Sequence, residues 1–167
     1  MSEVIIVDEK DNIISYKERK SISQKDIYRV SALWIMNSKG DSLLAQRSFN
    51  KKNDPGKWGP AVAGTNEKGE TYLSNIIKEI EEEIGVVIKD PKEMHKVRVH
   101  GKNNYFVQWY LTILDYDLSK FTIQEEEVES IRWISKENFL NEINNPNSKI
   151  LTSIKNAKEI INLVKRN

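Results

Sequence analysis

The chain switches between two spacings of apolar residues, and the switches mark its elements. Glu3 to Val7 is an apolar run, Asp8 to Asn12 is turn material, and Ile13 to Tyr16 is apolar again, so the chain opens on a β-hairpin. Lys17 to Lys25 is charged and polar, a linker or short helix that crosses to the next strand. Ile27 to Met36 is long and apolar, as a central strand should be, and Asn37 to Asp41 turns it into a second strand over Ser42 to Arg47. Ala61 to Gly64 is a short apolar strand. From Thr71 the spacing changes: Leu73, Ile76, Ile77, Ile80 and Ile84 recur at three and four residues, which predicts an amphipathic helix with these side chains on its buried stripe, stopped by Gly85. Val97 to His100 and Tyr105 to Leu114 read as antiparallel strands joined at 101–104, and a Trp-containing strand follows at Ser130 to Ile134. Ser135 to Asn144 predicts a helix with Ser135 as its N-cap. After the break at Asn145-Pro146-Asn147, Ser148 to Arg166 predicts one last helix that buries Ile150, Leu151, Ile154, Ala157, Ile160, Ile161 and Val164.

Polar positions on the first helix add chemistry. At roughly 100° per residue, Glu79, Glu82 and Glu83 fall on one arc beside the apolar stripe, whereas Glu81 projects elsewhere. Like charges at such spacings cost roughly 0.2–0.5 kcal/mol per pair, and more where the face is partly buried. Either the face is solvated or something neutralises it. Oxygen-only ligands suit a hard cation, Mg²⁺ or Mn²⁺, which keeps positions free for substrate phosphates and water. Lys78 is spaced to approach Glu82.

The residues around the helix decide between these readings. Gly64, five residues, Glu70, seven residues, then Lys78-Glu79-Ile80-Glu81-Glu82-Glu83-Ile84-Gly85-Val86 resembles the Nudix box, the signature of the Nudix hydrolases. One position departs from it: Lys78 stands where the family usually has arginine, keeping the charge but losing the planar fork. The resemblance implies an α+β fold, an α/β/α sandwich with a mixed central sheet and an N-terminal β-hairpin. It implies a pyrophosphohydrolase that cleaves a nucleoside diphosphate linked to another moiety X. Glu79, Glu82 and Glu83 would hold the Mg²⁺ or Mn²⁺, the backbone carbonyl of Ala63 would join them, and Glu70 would serve either as a distant metal ligand or, the favoured reading, as a structural partner near the helix start. A glutamate in the acidic run Gln124 to Glu129 assists catalysis in several members, which makes Glu126 and Glu127 candidates, Glu127 the one selected. Basic residues in the loop from Arg47 to Pro60, Arg47 and Lys57 among them, would receive the substrate's phosphates.

The layout more narrowly resembles Nudix proteins similar to isopentenyl-diphosphate isomerase, through Val7-Asp8-Glu9, Tyr28-Arg29-Val30, Gln46-Arg47-Ser48 and Pro55-Gly56-Lys57-Trp58. The isomerase's essential cysteine has no counterpart in Pro60-Ala61-Val62-Ala63, and its metal-binding histidine corresponds approximately to Tyr28. Isomerase chemistry is not expected. A non-catalytic nucleotide- or diphosphate-binding module is the other alternative, although such modules usually lose the box carboxylates that this chain keeps.

Composition narrows the partners. The 167 residues fit a single domain, 1–167, with a sizeable core. A net charge of +1, from 26 basic and 25 acidic residues, gives no bulk reason to expect nucleic acid or membrane. With no cysteine there is no disulfide, thiolate metal site or cysteine nucleophile. Neither a signal peptide nor a spanning apolar run is visible, so the expectation is a cytoplasmic protein acting on a small-molecule diphosphate. A homodimer through the hairpin or the sheet edges is an assembly several relatives use. His95 and His100, the only histidines, lack metal-ligand spacing. Trp34, Trp58, Tyr105, Phe106, Trp109 and Tyr110 are divided between core and a base-stacking platform.

Overall fold

A computed structural model describes residues 1–167. The hairpin forms as β1 (Glu3–Val7) and β2 (Ile13–Glu18), and a 3₁₀ turn at Arg19–Ser21 leads on. The axis of the sheet is β3 (Ile27–Met36). The strand β8 (Asn104–Ile113) runs parallel to it from Ile27↔Asn104 to Met36↔Ile113 and occupies one whole edge. On the other edge three antiparallel partners succeed one another: β1 at Ile27 and Tyr28, β6 (Val62–Thr65) at Val30 to Leu33, and β4 (Ser42–Arg47) at Ile35 and Met36. Away from β3, β4 pairs with β5 (Trp58–Gly59) and β9 (Val128–Ile134), and β8 pairs with β7 (Lys92–Val99). The sheet thus splits between β4 and β6.

Alternation along β3 supplies two cores. Leu33 and Ile35, with Tyr110 of β8, face the first helix, α1 (Tyr72–Ile84), and pack on Ile76, Ile80 and Ile84. Ala32, Trp34 and Met36, with Val107 and Trp109, face the opposite way, toward α2 (Lys136–Asn144), α3 (Thr152–Lys155) and α4 (Lys158–Arg166). The result is the mixed-sheet α+β sandwich expected from the sequence.

Helix α1 has strong local punctuation. The Thr71 hydroxyl accepts from the Ser74 backbone N–H at 3.0 Å, the Ser74 hydroxyl accepts from Thr71 N–H at 2.9 Å, and Gly85 ends the helix at φ 67°. Three expectations are corrected. Leu73, assigned to the buried stripe, is 44 % exposed, whereas its neighbour Tyr72 packs on the core and accepts from the Ser31 hydroxyl of β3 through its carbonyl at 2.9 Å. The strand expected from Val97 begins at Lys92. The last helix is two, α3 and α4, separated at Asn156–Ala157, where Ala157 takes ψ 77°. The helical stretch also starts late: Trp58 N–H donates to Lys149 O and Trp58 O accepts from Leu151 N–H, both at 2.8 Å, so 149–151 is tied to β5 as extended chain and α3 begins at Thr152 rather than Ser148. The break changes the helical phase, so Leu163 is buried and Ile161 only partly so.

Candidate functional site

Gly64 is where α1 meets the sheet. A Cβ there would lie 2.5 Å from Glu79 Cγ, so only glycine lets the Glu79 side chain pass beneath β6. Glu79 accepts from Asn75 Nδ2 at 3.3 Å and pairs with Lys78 at 3.3 Å. Lys78 does not approach Glu82 as its spacing allows; its Nζ stands 2.6 Å from Glu70. Glu70 also accepts from Glu67 N–H at 2.8 Å and Asn75 Nδ2 at 2.9 Å. Burial opposes the Glu70 charge, but these bonds outweigh it and hold its carboxyl below the usual range.

Glu83 is the unusual group. It is 8 % exposed on a helix that otherwise buries apolar residues and Asn75, and it sits at the split in the sheet, beside Ala45, Ala63 and Glu127. Burial, then the charges of Glu79 and Glu127, push its carboxyl up to about 8; the Ala63 N–H and Lys51 oppose this only in part. Glu79 is raised too, first by burial, with Glu82 adding its like charge. Glu82 itself is exposed and does not line the cleft. Glu127 does, because the acidic loop is tied to the C-terminus of α1: Thr122 N–H donates to Ile84 O and Gln124 N–H to Glu83 O, each at 3.0 Å. Glu126 is exposed and lies outside the cleft.

The cleft is a cavity of about 790 Å³ running from these carboxylates along the face of β3 and β8. Arg47 lines it, held by Nε donating to Asn53 O at 3.0 Å. So does Lys51, which forms an ion pair with Glu127 and which no feature of its basic loop distinguished beforehand. Lys57 does not reach the cleft; it pairs with Asp54 at 2.9 Å. At the other end stand Tyr28, Tyr105 and His100, and the α3–α4 corner supplies Ser153, Asn156 and Ala157. No local pattern marks the corner residues, since they face the cleft only because the helix breaks.

A hard divalent cation is tested by the donors themselves. Mutually repelling carboxylates, one nearly buried, form an oxygen-only set of the kind such ions take. No three acidic or histidine side chains already converge closely enough to enclose an ion. The chemistry of the donors fits, with the shell left to close on binding.

Comparison with known proteins bears on the family and the fold. The family model described as NUDIX domain matches residues 26–154. An uncharacterised Nudix hydrolase of Listeria monocytogenes is 30 % identical over 118 residues, covering 71 % of this chain and 69 % of that protein. An isopentenyl-diphosphate Delta-isomerase of Klebsiella pneumoniae is 31 % identical over 94 residues, covering 55 % and 51 %. Among solved structures, DR0079 from Deinococcus radiodurans superimposes with a TM-score of 0.77 over 98 % of both chains at 20 % identity.

Proposed function

This chain belongs to the Nudix family, and from that premise we propose that it is a metal-dependent pyrophosphohydrolase acting on a nucleoside diphosphate linked to a second moiety, by attack of water on phosphorus. The observation that carries the reading is Glu83: a carboxylate nearly removed from solvent, beside Glu79 and Glu127, at one end of a cleft that Arg47 and Lys51 also line. A group so placed costs stability unless a cation or a proton joins it.

Glu79 and Glu83, with the carbonyl of Ala63, would hold Mg²⁺ or Mn²⁺, and Glu82, exposed outside the cleft but close enough to Glu79 to raise its carboxyl, would turn inward to join them. When bound, the ion offsets the negative charge that otherwise repels a nucleophile from a pyrophosphate. Arg47 and Lys51 receive the phosphate oxygens. Glu127 stands across from Glu83 and accepts the proton of the attacking water, with Lys51 fixing its position. Glu70, Lys78 and Asn75 set the rotamer of Glu79 without touching substrate. The isomerase reading gains nothing from the cleft, which has no cysteine, and Tyr28 lies at its far end from the carboxylates.

The test is phosphate release, coupled to a phosphatase, from nucleotide sugars, ADP-ribose, dinucleotides and prenyl diphosphates with Mg²⁺ or Mn²⁺. Turnover that needs metal and collapses in Glu83→Gln supports the reading. Tight binding of a diphosphate with no turnover by the wild type would replace it with a binding module.

A further inference from the structure

The floor of the cleft is a set of rows fixed by strand register. Ala63, Ala32 and Trp109 form the row nearest the carboxylates, because Ala32 pairs with Ala63 of β6 and with Trp109 of β8. Thr65, Val30, Val107 and Val97 form the next, and Tyr28, Tyr105 and Val99 the one beyond. The first and last rows are four residues apart, roughly 13 Å along the strands.

The rows differ in cover. Trp109 is 6 % exposed and meets Trp34 edge-on, so it belongs to the core. Tyr28 and Tyr105 remain half-buried, stacked on one another with ring centroids 5.6 Å apart and planes at 28°. The other aromatics weighed for stacking offer no comparable face: Trp34 and Tyr110 are buried, Phe106 has Lys96 and Arg98 over its ring, and Trp58 has the Arg132 guanidinium 4.4 Å from its centroid, while the exposed Phe49, Tyr16 and Tyr116 lie outside the cleft. Around the tyrosine row the rim is polar, with His100 and Asn103 from the β7–β8 turn.

We infer that the Tyr28–Tyr105 pair is the seat of a nucleotide's base, which extends the tyrosine stack while the pyrophosphate lies by Ala63 and Glu83. This rests on the hydrolase reading for the position of the pyrophosphate. A distance of roughly 13 Å is the reach of a ribose and a diphosphate from the base, so the base and the pyrophosphate to be cut fit as parts of one nucleoside diphosphate. Stacking tolerates any base, because every base has a π-face. Discrimination among bases falls to His100 and Asn103 at the ring's edge.

Calorimetric titration in EDTA separates binding from turnover. The probes are ADP-ribose and UDP-glucose, with 5-phosphoribosyl diphosphate as a baseless sugar diphosphate and geranyl diphosphate as an apolar chain. Tyr105→Ala should weaken ADP-ribose and UDP-glucose about tenfold or more and leave the baseless diphosphate unchanged, while Tyr105→Phe retains wild-type affinity. Tyr28→Ala should show the same selectivity. Equal losses for the baseless or geranyl compound, no loss for the nucleotides, or no nucleotide binding by the wild type overturns the platform. Base-dependent binding without metal-dependent turnover of either nucleotide would instead sink the hydrolase reading for such substrates and leave the platform standing.

Discussion

Helix α1 and the α3–α4 corner line the same cleft, and they were built by opposite means. Helix α1 is bounded by its own residues, the Thr71–Ser74 box at one end and Gly85 at the other, and its carboxylates follow from helical spacing. The corner has no side-chain cap at either helix start and is anchored from outside, by Trp58 holding Lys149 and Leu151 in extended pairing just before α3. In the proposed enzyme α1 carries the chemistry and the corner shapes the space for substrate. A site can thus keep its reaction in one locally encoded helix while its specificity wall shifts with the packing around it.

The sharpest test of that division is on α1. Glu83→Gln should lower metal-dependent turnover by roughly 10²–10⁴-fold, with circular dichroism unchanged, whereas Glu81→Gln, exposed and on another arc, should leave the rate as it is. If Glu81→Gln is as damaging, the arc assignment is wrong. On the corner side, Ile154→Ala empties a position that is 1 % exposed and should cost about 2–5 kcal/mol in urea unfolding. Metal titration of the folded variant should match wild type, and a large loss of metal affinity would show the two regions to be coupled.

Gly64→Ala places a methyl group on Glu79 and should cost about 1–3 kcal/mol of stability together with metal affinity; retention of both would mean that Glu79 can move aside freely. The fourth test uses pH. The folded carboxyl of Glu83 is raised to about 8 from an ordinary 4.5, so the folded state favours its protonated form. That contribution is fully present below pH 4.5 and is lost as pH rises through about 8. In EDTA the melting temperature should therefore carry a downward slope over this window that Glu83→Gln removes, and Mg²⁺ should stabilise most at its upper end. The smallest effect is expected for Lys78→Arg. Lys78 already reaches Glu70 at 2.6 Å and Glu79 at 3.3 Å, so stability should stay within about 0.5 kcal/mol and turnover should change little; a large gain would show that a planar fork is needed to aim Glu79.

The sequence by itself determined whatever depends on neighbours a few residues apart. The apolar runs became the strands, the 3.6-residue stripe became α1, and the spacing from Gly64 to Val86 identified the family. Tertiary structure decided what depends on residues far apart in the chain. Only the split between β4 and β6 buries Glu83 while leaving Glu82 exposed, although both lie on one helical arc. Only the folded loops bring Lys51 to Glu127 and turn Lys57 to Asp54. The parallel register of β3 and β8 sets Tyr28 beside Tyr105, seventy-seven positions on (105 minus 28), a pairing that no local pattern encodes. Burial and charge pairing are properties of the packed chain, so the helix could announce its carboxylates but not which of them would lose contact with water.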